Sequence, residues 1–248
     1  SEILHHLSRW KHLDARTIQA EDEIAAMGAS IGAAYGGAFA ATGTSGPGLC
    51  LKSEALNLAV MLELPLVIVD VQRGGPSTGL PTKTEQGDLL QALYGRNGES
   101  PLPVLALAGP ADGFDVAIEA FRIAVRHMTP VLVLSEGFLA SSSEPWRIPA
   151  FRDLEPIAVQ HPLEPDGFQP YSRESGTLAR PWVVPGTPGM QHRLGGLEKQ
   201  PGSGAVSYAP EDHAAMCALR RDKVARVADF MPLLEVAGPE QGRLLVLS

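Results

Sequence analysis

The sequence predicts a doubly wound α/β fold with a mostly parallel sheet, followed by a long irregular connecting segment. Three observations carry that expectation. Between Ala15 and about Ser141, short apolar stretches alternate with longer segments of helical period. Two stretches, "LVIVDV" and "PVLVLSE", are almost continuously apolar, as strands buried on both faces must be. Beyond Pro145 the periodicity stops and the chain becomes dense in Pro, Gly and polar residues.

Each element has a local reason. "ARTIQA" is short and holds enough β-formers to predict a first strand. "EDEIAAMGASIGAAYGGA" follows, with an acidic start suited to the helix dipole and Ile24, Met27, Ile31 and Tyr35 at helical spacing. Its Ala and Gly residues predict close packing of that helix on a sheet. "FAATGTSGPG" reads as a strand entering a tight turn. "LKSEALNLAVMLELP" reads as a helix that its proline ends. "LVIVDV" comes next, and "PVLALAGPAD" with "GFDVAIEAFRIAVRHM" repeats the strand–turn–helix unit before "PVLVLSE". Right-handed crossovers follow from that alternation. Further on, "APEDHAAMCALRRDKVARVADFM" predicts a helix near 210–230, and "GRLLVLS" predicts the first strand of a further α/β domain. The missing initial Met and the terminal strand-like run both predict a piece of a longer chain.

Composition narrows the function. A net charge of −8 argues against nucleic acid and anionic membrane as partners. No apolar run approaches the roughly 20 residues that span a bilayer, and the start has no secretory signal pattern. Cys50 and Cys217 form no CxxC, which argues against a disulfide framework or a metal site made by this chain alone. Two buried or semi-buried thiols in a reducing cytoplasm are expected.

In parallel α/β sheets, ligands bind beyond the carboxyl ends of the strands. Three segments fall there: Glu21 to Glu23, "TSGPG" (Thr44 to Gly48), and the chain from Arg73 onward. A carboxylate, a close-approach turn and an arginine suit a small anionic molecule. Each also has a plain structural explanation, as a first-turn acid, a tight turn and a solvated loop residue. "TSGPG" fits neither common nucleotide-phosphate motif.

"FAATGTSGPGLCLKSEALNLAVMLELPLVIVDVQ" resembles the pyrimidine-binding domain of thiamine-diphosphate enzymes, and "QAEDEIAAMGASIGAAYGGAFA" is similar to the helix that opens with that domain's glutamate. With "QRGGPSTGLPTKTEQGDLLQALYGRNGE", the chain resembles the alpha subunit of 2-oxoacid:ferredoxin (acceptor) oxidoreductases of the 2-oxoglutarate type. The resemblance implies a pyrimidine-binding domain over 1–148, an interdomain connecting segment over 149–240, and a truncated further domain at 241–248. It implies oxidative decarboxylation of a 2-oxoacid to its acyl-CoA, with coenzyme A as co-substrate and ferredoxin as electron acceptor. Alternatives are a non-oxidative, acetolactate-synthase-like enzyme and a non-catalytic assembly subunit.

The resemblance also assigns roles. Glu23 is the catalytic glutamate at the cofactor's aminopyrimidine, since Ala26, Ala29 and Gly32 then stand at the family's spacing; Glu21 is the alternative. A carboxylate there favours the tautomer whose neighbouring nitrogen removes the thiazolium proton. Thr44, Ser45 and Gly46 line the cofactor, Arg73 takes the substrate carboxylate, and Thr82 senses the substrate's distal end. No GDG…N motif is present. Mg²⁺, the cofactor diphosphate and an iron–sulfur cluster are therefore expected in a partner beta subunit. Thiamine diphosphate would be shared in an alpha–beta heterodimer or its dimer, and this chain alone would be inactive.

Overall fold

A computed structural model describes residues 2–80, 82–232, 238 and 241–244. Helix α1 (Glu2–Leu7) and a 3-10 turn (Lys11–Leu13) lead into α2 (Glu23–Tyr35), β1 (Ala41–Thr44), α3 (Gly46–Leu62) and β2 (Leu66–Gln72). Next come α4 (Asp88–Tyr94), β3 (Val104–Ala106), α5 (Asp112–His127), β4 (Pro130–Glu136) and α6 (Gly137–Ser141). The long helix of the second half is α7 (Pro210–Ala225), extended by a 3-10 turn at Arg226–Phe230. All strand pairings are parallel, in the order β1-β2-β4-β3.

The apolar runs of the two central strands are explained by their two buried faces. Leu66, Ile68, Leu132 and Leu134 pack with Met27, Leu49, Leu56 and Ala59 of α2 and α3. The alternate residues Val67, Val131 and Val133 pack with Ala120, Ile123 and Ala124 of α5. Burying each such side chain contributes on the order of 2 kcal/mol, so both faces of the sheet are strongly specified.

Four expectations need correction. "ARTIQA" forms no strand: residues 15–20 join no ladder, and Ile18 is exposed. Propensity in a six-residue stretch cannot substitute for a hydrogen-bonded neighbour, and β1 is paired only with β2 among the described strands. The buried face of α2 also differs, being Met27, Ser30 and Ala34, with Ile24 and Tyr35 exposed. A Cβ on Gly28 or Gly32 would meet nothing within 4 Å, so these glycines do not serve close packing. The thiols are free, and Cys50 is exposed rather than buried.

The irregular segment after α6 is docked on the opposite end of the sheet from the strand C-termini. There α2, α3 and α5 leave carbonyls without intrahelical partners. Trp182 Nε1 donates to Ala34 O (2.9 Å), Arg180 Nε to Leu62 O (3.0 Å) and Glu63 O (3.1 Å), and Lys199 Nζ to Met61 O (3.2 Å). Lys223 Nζ of α7 donates to Met128 O (3.1 Å) and pairs with the buried Glu63, which also takes the Arg173 guanidinium. Cations at helix C-termini are favoured by the dipole. The strand expected over 241–248 lies outside the described residues at 245–248, and 241–244 form no strand. Among the described residues, no helix is long and apolar enough to cross a membrane.

Candidate functional site

Parallel pairing brings the ends of three strands together. Thr44 of β1 is in register with Asp70 of β2, and Gln72 of β2 with Glu136 of β4. Asp22 caps α2 by accepting from Ala25 N (2.7 Å), so the carboxylate that follows it is not spent on the cap. That carboxylate is Glu23, half-buried and seated against the "TSGPG" turn. A Cβ on Gly48 would lie 2.1 Å from Thr44 Oγ1, 2.8 Å from Glu23 Cγ and 3.1 Å from Glu23 Oε1. The space a side chain would fill is thus held by the glutamate and the threonine. Glu21 is exposed.

Ser45 is the extended N-cap residue of α3, and Gly46 is the first residue of the helix. A Cβ on Gly46 would lie 2.5 Å from Asp88 Oδ1. Each of the two glycines therefore makes room for a different carboxylate. Lys52, one and a half turns along α3, is fully buried and donates to Thr42 Oγ1 at 2.8 Å. Burial pulls its ammonium below the usual lysine range, while the nearby Glu23 charge opposes that.

Arg73 follows β2 directly and is half-buried; its Nε is buried without an acceptor among the described residues. The stretch after it is knitted rather than slack. Leu80 N donates to Gly74 O (2.9 Å), Gly74 N to Lys83 O (3.0 Å), and Gly75 N to Glu85 Oε2 (2.8 Å). Ser77, Gly79 and Thr82 have φ of 58°, 50° and 60°, and a Cβ on Gly79 would collide with Gly74 O at 1.8 Å. Thr82 stands on the exposed outer part of this loop. The structure thus brings Glu23, Thr44 and Gly48 into contact, sets Ser45 and Gly46 beside them, and places Arg73 at the adjacent strand end.

Sequence reasoning missed three residues here: Lys52, Asp70 and Asp88. The available signal was a lysine and an aspartate within otherwise apolar elements, since charged groups are seldom fully buried without a reason. Away from the sheet, Glu198, His213 and Cys217 bring ligand-type atoms within 4.8 Å of one another. Arg220 already supplies the positive charge there, with Nη2 3.4 Å from Glu198 Oε2 and 3.5 Å from Cys217 Sγ.

A parallel sheet with a glutamate, a TSGPG turn and an arginine gathered at its carboxyl edge defines a cofactor-binding α/β domain. The chain belongs to the pyruvate flavodoxin/ferredoxin oxidoreductase, thiamine diphosphate-binding family, whose profile matches residues 1–203. It is 57% identical over 247 residues to the 2-oxoglutarate oxidoreductase subunit KorA of Mycobacterium tuberculosis, covering 100% of this chain and 38% of that one. It is 47% identical over 138 residues to the 2-oxoglutarate synthase subunit KorA of Archaeoglobus fulgidus, covering 56% and 40%. Its fold is similar to that of 2-oxoglutarate:ferredoxin oxidoreductase from Magnetococcus marinus, solved with 2-oxoglutarate, coenzyme A and succinyl-CoA bound. That match has a TM-score of 0.85 and 39% identity, over 94% of this chain and 40% of the other. The chain spans about two fifths of the length of these relatives.

Proposed function

We propose that this chain is the cofactor- and substrate-binding part of the alpha subunit of a 2-oxoacid:ferredoxin oxidoreductase acting on 2-oxoglutarate. The observation that carries the reading is the Glu23 carboxylate held against Thr44 and Gly48 at the carboxyl edge of the sheet. A glutamate in a cradle that a single Cβ would fill fits an aminopyrimidine, which needs a carboxylate at one ring nitrogen and close backbone approach on its face.

When bound, thiamine diphosphate supplies the electron sink for loss of CO₂. The chain's own residues do the rest. Glu23 presents its carboxylate to the pyrimidine ring nitrogen, and Lys52 supplies the balancing charge beside it. Thr44, Ser45 and Gly46 form the wall of that pocket. The Arg73 guanidinium orients the substrate carboxylate by paired hydrogen bonds, and Thr82 contacts the distal carboxylate end. In the overall reaction the C1–C2 bond of the 2-oxoacid breaks and the acyl carbon joins the coenzyme A sulfur. CO₂, one proton and two electrons leave. The electrons pass through an iron–sulfur cluster to ferredoxin. That cluster, Mg²⁺ and the diphosphate site reside in a beta subunit, in a cytoplasmic alpha–beta assembly. Residues 1–148 form the pyrimidine domain, and the chain from 149 connects it onward.

The test is reduction of a viologen dye by the full-length alpha subunit co-purified with its partner. Dye reduction is expected only when 2-oxoglutarate and coenzyme A are both present. Decarboxylation that needs neither coenzyme A nor an acceptor would replace this reading with a non-oxidative one.

A further inference from the structure

Two acids at the base of the substrate loop, Asp70 buried and Asp88 half-buried, have no part in the reaction described so far. Asp70 is fully buried near the end of β2, and neither of its oxygens receives an N–H or O–H from the other described residues. Asp88 is the first residue of α4; its Oδ2 is likewise buried and unserved. The two carboxyls act directly on each other, and with no other donor to Asp70 among the described residues, any proton between them would be their own. In sequence they bracket the loop, Asp70 three residues before Arg73 and Asp88 directly after Gly87.

We propose that Asp70 and Asp88 share one proton and so clamp the two stems of the 73–87 loop, acting as positioning residues for the arginine that grips the substrate. The inference rests on the reading of Arg73 given above. A single proton makes the pair a strong hydrogen bond, whereas two charges in contact repel. The clamp also sets the wall of the cofactor pocket, because Asp88 leans on Gly46 of the TSGPG turn.

The surroundings bring the titration of Asp70 near neutrality. Burial, and then the charge of Asp88, push the Asp70 carboxyl up to about 7. Asp88 is raised by burial and by Glu85. No lysine or arginine pairs with either acid among the described residues. Lys52 of α3 is turned to Thr42 and Glu23. Glu136 at the end of β4 caps α6 through Phe138 N and Leu139 N. From β1, Thr44 is the residue in register with Asp70; on the α3 side, Ser45 and Gly46 carry no charge. The loop itself contributes Arg73, Lys83 and Glu85.

The experiment is backbone hydrogen exchange over residues 74–87 in the full-length assembled enzyme without substrate, at pH 6 and pH 8.5, corrected for intrinsic rates. Protection in the native enzyme is expected to fall about tenfold at the higher pH as the shared proton is lost. Asp88→Asn, whose amide donates permanently to Asp70, should keep the loop protected at both values; Asp88→Ala should lower protection at both. The Michaelis constant for 2-oxoglutarate, but not for coenzyme A, should rise with pH in step with exchange. Native protection that does not change with pH, or an Asp88→Asn enzyme that loosens as steeply as the native one, would overturn the clamp. Exchange that follows the prediction while the Michaelis constant stays flat would keep the clamp and remove the substrate role of the loop.

Discussion

Glu23 occupies the place that a side chain at residue 48 would take: a Cβ there would stand 2.8 Å from Glu23 Cγ. Gly48→Ala is therefore expected to displace the carboxylate while leaving the helix intact, since alanine favours a helix interior by about 1 kcal/mol. Turnover should fall on the order of a hundredfold, the cost of misplacing a reacting group by about 1 Å. The melting temperature should hold. Gly32→Ala, where a Cβ meets nothing within 4 Å, is the matched control and should leave turnover near the native value.

Lys52 is a buried cation that donates to Thr42 Oγ1, with the Glu23 charge nearby. Lys52→Met keeps the volume and removes the charge. We expect stability to be retained or improved, because burying an ammonium is costly. Turnover should drop about a hundredfold from loss of the balancing charge, at the low end for a single electrostatic contribution at an active site. A Lys52→Met enzyme with native turnover and raised melting temperature would make Lys52 a packing residue only.

Arg73 presents a buried, unserved Nε at the end of β2. Arg73→Ala should raise the Michaelis constant for 2-oxoglutarate at least about a hundredfold, the range for losing a charge-assisted pair. The constant for coenzyme A should be unmoved. Arg73→Lys should recover little, because an ammonium cannot reproduce the paired donors. Equal effects on both substrates would remove the assignment.

Stability at acid pH should report on Glu63. Burial pushes its carboxyl up, but Lys223 and Arg173 outweigh that and hold it down at about 2, against an ordinary 4.5. With the folded value depressed, its contribution is present above about pH 4.5 and is lost as pH falls through 2. Glu63→Gln should cost about 3–5 kcal/mol by leaving two cations without their anion, and should flatten the melting temperature across that acid range. Thermal melts from pH 2 to 6 check both statements.

Much of the fold was legible because its signals are local. The two apolar runs became the central strands, and "TSGPG" became a strand end, an N-cap and a helix start. The failures were also physical. "ARTIQA" was legible as β-forming but not as unpaired, since pairing depends on a neighbour that no short window contains. "DLLQALY" was not singled out as a helix: at seven residues its pattern is too brief to separate from the loop before it. The sequence left the connecting segment open between an ordered excursion and a linker, because its order comes from arginine, lysine and tryptophan side chains reaching helix ends over a hundred residues away in sequence.

The sequence by itself determined the parallel α/β architecture, the position of its turns, and the glutamate, turn and arginine that suit a small anionic ligand. These follow from periodicity, from glycine and proline, and from charge at strand ends. Only the tertiary structure decided what the glycines of the turn are for, and which acids act on each other. It set Glu23 against Gly48 and Asp88 against Gly46, and it joined Asp70 to Asp88 across the base of the loop. Contacts between groups far apart along the chain depend on how layers pack, and packing is a property of the assembled core.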